Sequence, residues 1–502
     1  MSRVLLLCAA LVAFEAAGAD AGPLGGRKKA TRYGPQPRPA TETTARFDVN
    51  NIAMTMKNSG QVVFPGAAAG MEWPKDSGSS VVYAGGLWIA GRVNENLRIA
   101  AVQYDTSGFQ PGTMRAGVPA SPADTLFRFY TIGRADTPGV PDYDRWPVLQ
   151  GAPASGGAPL RKGEQNVWCV YNDGRITGRE FYTQPLHVEV QQYVYGDTLA
   201  GALNNTVFVE YSILNRDSAA INSMFISLWL DTDVGDFNDD AAGVDTGGGF
   251  AYCYNGKAVD AVFGSTPPAV GLLVLRSPSG PYPAAVPHSF VTYHPQLTFP
   301  VTAQEAYNYL RGFNRDGSEI IDPSTAAPTS FMYGGDPADT SGWVDTTAAD
   351  KVLLLSFGPF SLLAGDSTVF HAAIIVARGT DRLNSISELR QAVPVVRAHY
   401  DAKLVGVSGG TRALPAALFL SQNFPNPFNP STTIEYSLPR SEYVRLLLYD
   451  LAGRLVATIV DGVQEAGDKR VEIRAGSLAT GDYFCRLQAG TRSQTRKMLL
   501  VR

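Results

Sequence analysis

The decapeptide MFISLWLDTD, residues 224–233, places an apolar side chain at every second position from Met224 to Leu230. Met224, Ile226, Leu228 and Leu230 fall on one face, and Phe225, Ser227, Trp229 and Asp231 on the other. A period of two is that of a β-strand, whose successive side chains point to opposite sides. The same rhythm recurs along the chain. VVYAGGLWIAGRV (81–93), VWCVYN (167–172), LHVEVQQYVY (186–195) and NTVFVEYSILN (205–215) precede this strand, and KVLLLSF (351–357) and TVFHAAIIVA (368–377) follow it. Turns rich in Gly, Pro, Asp and Asn separate these runs. Of 502 residues, 45% are hydrophobic, 18% are charged, and 51 Gly and 33 Pro favour short strands over long helices. The expected fold is all-β: a large antiparallel β-sandwich body, built as one or two sandwiches.

Immediately after the opening strand the chain runs LDTDVGDFNDDAAGVD (230–245), its densest polar stretch. Asp231, Asp233, Asp236, Asn238, Asp239, Asp240 and Asp245 supply hard oxygen ligands at one sheet end. Ca2+ takes about six to eight such oxygens. Crowded carboxylates repel one another unless a cation neutralises them. The spacing is not that of an EF-hand, since Gly235, Asp236 and Ala242 stand where that motif needs an acceptor, Gly and Glu. Three readings stand: a structural Ca2+ site, a solvated acidic turn whose Asp side chains cap backbone amides, or a catalytic carboxylate role.

Signatures of enzymes are sparse. No H-E-x-x-H, G-x-S-x-G, Walker loop or strand-borne G-x-G-x-x-G is present. His371 shares a strand face with Val369, Ala373 and Ile375 and reads as a satisfied core residue. Trp88, Trp168 and Trp229 lie in strands, whereas Trp73, Trp146 and Trp343 lie in loops, where they lock corners or stack on sugars. A carboxylate pair for polysaccharide hydrolysis is a spatial feature that linear spacing does not reveal. The net charge of −4 argues against a nucleic-acid surface.

Residues 1–19 combine Arg3, an apolar run from Val4 to Phe14 and Ala17-Gly18-Ala19, the pattern of a secretory signal peptide. That run is too short for a permanent membrane anchor, and no later segment supplies a transmembrane span. Residues 20–45 form a Gly/Pro/Thr-rich disordered linker. The β-rich body spans 46–403 and ends in a helix near 383–402, opened by a Ser385-x-x-Glu388 capping box and broken or kinked at Pro394. A second linker covers 404–417. Cys169, Cys253 and Cys485 are an odd, scattered set and do not make a disulfide framework.

The last module, 418–502, is again strands. Ile434, Tyr436 and Leu438 alternate, then Val444, Leu446 and Leu448, then Tyr483, Cys485 and Leu487, with Met498 and Leu500 last. Turn residues separate these sets, and the length suits a small immunoglobulin-like β-sandwich. It opens on LSQNFPNPFNPSTTIEYSLP, whose prolines fix φ and hold the preceding residues extended. VRLLLYDLAGRLVATIVDG, AGDKRVEI, LATGDYF and TRKMLLVR follow in order.

These motifs resemble the type A carboxyl-terminal sorting domain of type IX secretion cargo. On that resemblance the sorting signal comprises Pro425, Asn426, Pro427 and Phe428 at the entry, and Tyr449, Asp450, Gly453 and Arg454 at a turn. Gly481, Tyr483, Lys497 and Arg502 complete it. Asp482 and Cys485 depart from the family, which more often has an apolar residue and an aromatic at these two positions. The resemblance implies export through the periplasm to the outer surface of a Gram-negative bacterium, or release. It also implies handling by a translocon and a sortase-like peptidase, with attachment to surface lipopolysaccharide in some cargo. The body, through AGGLWIAG, VYND, the Asp-rich loop, GPFSLLAGDS and IIVARGTDRLNS, resembles a recurrent uncharacterised region of such proteins. The expected function is therefore a secreted or surface β-sandwich that binds or builds structure. A polysaccharide-active hydrolase or a carbohydrate-binding protein is the alternative.

Overall fold

The computed structural model describes residues 42–66, 70–104, 107–121, 125–155, 158–278, 280–281, 285–407, 418–420, 423, 426–438, 441–464, 467–476, 478–490 and 492–501. The leader at 1–19, residues 20–41 of the first linker and 408–417 of the second lie outside that set.

The longer strands of the body, in chain order, begin with β1 (Thr44–Phe47), β2 (Ala53–Lys57), β3 (Gln61–Val63) and β4 (Ser80–Val93). Next come β5 (Tyr130–Gly133), β6 (Gln165–Asn172), β7 (Val188–Gly196), β8 (Thr206–Asn215) and β9 (Ile221–Thr232). Then follow β10 (Asp240–Asp245), β11 (Phe250–Asn255), β12 (Ala269–Ser277), β13 (Ser289–Tyr293), β14 (Lys351–Leu362) and β15 (Ser367–Ala377). They form two sheets. One has nine strands on the path β1-β2-β3-β4-β9-β14-β13, the other ten on β5-β6-β7-β8-β15-β12-β11-β10. Short strands complete each count, and the ladders of both paths are antiparallel.

The two sheets bury one shared core, so the body is a single sandwich. From the first sheet Ile226, Leu228, Leu230, Leu353 and Leu355 point inward. From the second come Val207, Val209, Ile213, Phe370 and Ile374, and all ten are buried. The alternation read in 224–233 thus resolves as inner and outer faces: Phe225 and Trp229 sit in a separate apolar cluster on the outside of the first sheet. Helix α1 (Ala303–Leu310) covers that outer face with Tyr307, Tyr309 and Leu310. Its start is a full capping box between Thr302 and Glu305, a T-x-x-E signal that the strand-centred reading passes over.

Helix α2 (Arg382–Val407) covers the outer face of the second sheet, packing Ile386, Leu389, Val393, Val396 and Tyr400 against Phe208, Leu273 and Ile375. Its start differs from the expected box. The Asp381 carboxylate accepts from the amides of Leu383 and Asn384 at 2.9 Å each. Ser385 instead donates to the Pro267 carbonyl at 2.7 Å, tying the helix to the sheet. Pro394 does not end the helix. Buried contacts at Val393 and Val396 on both sides of it hold the helix to the sheet through the missing amide.

The last module has seven strands: β16 (Phe419–Leu420), β17 (Ser431–Leu438), β18 (Glu442–Asp450), β19 (Leu455–Gln464), β20 (Gly467–Arg474), β21 (Gly481–Ala489) and β22 (Arg492–Leu500). A three-stranded sheet, β16-β17-β20, packs on a four-stranded one, β19-β18-β21-β22. Between them lies a core of Ile434, Tyr436, Leu446, Leu448, Cys485, Leu487, Met498 and Leu500. The strand count is that of a small immunoglobulin-like sandwich.

Candidate functional site

Strand β9 carries its Asp-rich end onto the outer face of the first sheet. In the β9–β14 ladder Asp231 pairs with Val352 and Thr232 with Lys351. One step further along the same register sets Asp233 against Asp350. Residues 231 and 233 share a face because they are two apart, and 350 shares it because it lies across from 233. The three carboxylates meet: one oxygen of each lies within 4.8 Å of the others. Their relative exposures are 0% for Asp231, 6% for Asp233 and 2% for Asp350. Like charges directly opposite destabilise a sheet, and burial makes each unneutralised carboxylate costlier. Tyr104 stands beside them. Burial first, then the Asp231 charge, Tyr293 and Asp350, hold its hydroxyl well above the ordinary tyrosine pKa.

The remaining acidic residues of the loop serve its turns. Asp236 accepts from the Asn238 amide at 3.1 Å and from its side-chain amide at 2.8 Å, capping a short 3-10 turn. Asp239 is buried near Lys257, at 3.5 Å. Its pKa is raised, chiefly by burial, with the Lys257 charge opposing and Asp260 and Asp236 adding. Asp240 accepts from the Val234 amide at 3.3 Å. Asp245 accepts from the Gly248 amide at 2.6 Å and faces Arg390 at 3.4 Å. Asp260, which sequence reasoning missed, accepts from the amides of Asp236, Val262 and Phe263 at 2.9, 2.8 and 2.5 Å. Of the seven residues read as one ligand set, the structure brings together Asp231 and Asp233 and adds Asp350. Asp236, Asn238 and Asp239 lie on a short 3-10 turn, and Asp240 and Asp245 at the two ends of β10.

Two loop tryptophans are buried and bonded: the Trp73 ring N–H donates to Asn205 at 2.7 Å and that of Trp146 to the Pro153 carbonyl at 2.8 Å. His371 lies under α2, its Nδ1 2.5 Å from the Tyr400 hydroxyl and 3.9 Å from Glu210, its cross-strand partner. Glu210 is held by Lys162 at 2.6 Å. Burial pushes the His371 pKa down to about 4, opposed by Glu210, with Lys162 and Arg276 adding to the fall. A cavity of about 460 Å3 opens beside Trp146, and its walls include Leu126, Arg128, Tyr130, Arg145 and Leu149.

In the last module the entry segment lies along the terminal strand. The Phe428 amide donates to Leu499 at 2.9 Å, and the Val501 amide donates to Phe428 at 3.1 Å. Asn426 accepts from the Leu499 amide at 2.8 Å, and Phe428 is buried after Pro427. The motif's two ends, some 70 residues apart, are therefore one structural unit. At the β18–β19 turn, Asp450 accepts from the amides of Ala452 and Arg454 at 3.0 and 2.9 Å and pairs with the Arg454 guanidinium at 2.7 Å. Gly453 there has φ +77°, which glycine adopts without strain. Tyr449, next to that turn, is half-buried. Gly481 opens β21, Tyr483 donates to the Ala479 carbonyl at 2.7 Å, and Lys497 pairs with Asp482 at 3.1 Å. Pro425 and Arg502 lie outside the described residues.

No curated protein matches the sequence. Among solved structures, a polysaccharide lyase is similar at 11% identity over 83% of this chain and 46% of that one, with a TM-score of 0.19. The chain thus spans less than half the length of that protein. Residues 422–501 match the family model of the secretion system C-terminal sorting domain. With the entry segment and terminal strand joined as described, the last module belongs to that family, and the chain is type IX secretion cargo bound for the cell surface or the medium of a Gram-negative bacterium of the Bacteroidetes.

Proposed function

We propose that the body is a calcium-stabilised β-sandwich that works outside the cell by binding or as a structural surface element. The observation that carries the metal reading is the convergence of Asp231, Asp233 and Asp350, all buried, through strand register. Ca2+ would be held by these three carboxylates, and waters or nearby carbonyls would fill its remaining positions. The cluster is closed and tight. A glycosidase pair stands about 5–10 Å apart in an open cleft, so these residues favour an ion over a sugar.

The export route is read in finer detail the same way. Residues 1–19 act as the leader into the periplasm, the translocon reads the last module, and a sortase-like peptidase removes it, leaving the body released or joined to surface lipopolysaccharide. Glycans remain a ligand class for the exposed surface. Two measurements test the reading. Native mass spectrometry of the full chain should find one Ca2+ bound, and Asp233→Asn should lose it; a metal-free native chain in millimolar Ca2+ would sink the metal reading. Removing residues 418–502 should leave the body in the periplasm, and surface display of that truncation would sink the export reading.

A further inference from the structure

The last strand breaks its own pattern. Along β22 the even positions face the small core, and Met498 and Leu500 are buried there. At 494 and 496, where the alternation calls for apolar groups, stand Gln494 and Arg496, opposite the buried Leu487 and Cys485. A local rule broken on a core-facing row marks another use for those positions. Gln494 has one: it accepts from the Leu420 amide at 2.7 Å and donates to the Leu418 carbonyl at 2.8 Å, fastening the strand that enters the module. Arg496 reaches out of the module altogether. Its guanidinium lies 3.1 Å from the carboxylate of Asp366 in the body, and the two side chains are only 13% and 15% exposed.

Asp366 is presented rigidly. It closes the β14–β15 turn, where its amide donates to Leu363 at 3.1 Å and its carbonyl accepts from the Asn215 amide at 2.9 Å. The same turn is pinned again by the Gly365 amide donating to Asn215 at 3.0 Å. A charge shielded to this degree is costly without its partner.

We propose that the sorting domain docks on the body through an Arg496–Asp366 latch, so that the folded body sets the orientation in which the terminal strand is displayed. The inference rests on reading the last module as the sorting domain. The latch leaves Lys497, the next residue, pointing the other way and 60% exposed at its side chain. Docking therefore ties Arg496 to the body and leaves Lys497, on the opposite face of β22, open to a reader. A single ion pair is also readily released, by salt or by a competing charged surface.

Small-angle scattering on the full chain tests the latch directly. Asp366→Lys and Arg496→Asp should each increase the radius of gyration, with circular dichroism unchanged. The exchanged pair, Asp366→Arg with Arg496→Asp, should restore the wild-type value. Raising salt from about 0.05 to about 1 M should move the wild type in the same direction as the single variants. Unchanged scattering in both single variants overturns the proposal, and so does failure of the exchanged pair to restore it. Export of the same variants is scored separately. Loss of scattering differences with normal export removes the latch alone, whereas export that is indifferent to deletion of 418–502 removes the sorting reading.

Discussion

Aspartates at two sheet ends of this molecule face opposite problems. At the β18–β19 turn of the sorting domain, Asp450 is satisfied locally: two backbone amides and Arg454 take its oxygens within four residues. These contacts hold its pKa below the usual carboxylate range, the Arg454 amide first among them. At the end of β9 in the body, Asp231, Asp233 and Asp350 are buried side by side by strand pairing. Asp450 needs only its turn. The three buried carboxylates crowd one point instead, so the same residue type marks a turn in one place and, on the function proposed above, a cation site in the other.

The largest effect that sharpens this contrast is cation removal. A ligand at about 100 times its Kd stabilises by about 2.7 kcal/mol, so chelation should lower the melting temperature of the body by several degrees and leave the sorting domain's transition in place. Asp350→Asn comes next. Taking away one ligand should abolish most of the calcium response in calorimetry, and if no cation is used the same change should instead stabilise the body by relieving repulsion.

A smaller, pH-dependent effect belongs to His371. Its folded pKa of about 4 lies below the unfolded value of about 6.5, so the folded state resists taking up the proton. The stability it supports is present above about pH 6.5 and lost as pH falls towards about 4. His371→Gln should flatten that part of the stability profile measured by denaturant titration, and an unchanged slope would rule His371 out as its source. Smallest is Asp450→Asn. It should slightly loosen the exposed turn, seen as faster amide exchange at Ala452 and Arg454, with no change in calcium response.

How much was legible follows from how local each feature is. The faces of 224–231 were readable because alternation is a property of consecutive residues, and the core assignments of Ile226 and Trp229 follow from it. The sorting motif was readable because its entry, turn and terminal strand carry specific residues in order. Asp350 was hidden: it lies 117 residues from Asp233, and only the Asp231–Val352 register brings the two together. The loop between them looked like one ligand set because density in sequence imitates convergence in space. Asp236, Asp240 and Asp245 instead spend their oxygens on amides nearby. Helix α1 went unread although Thr302 and Glu305 announce it, since eight residues among strands leave little periodicity to detect.

The most direct test of the account is differential scanning calorimetry of the full chain in calcium and in chelator, run beside Asp350→Asn. The account predicts that chelator lowers the body transition of the wild type by several degrees and does little to the variant. A wild-type melting temperature that is the same with and without chelator would contradict it.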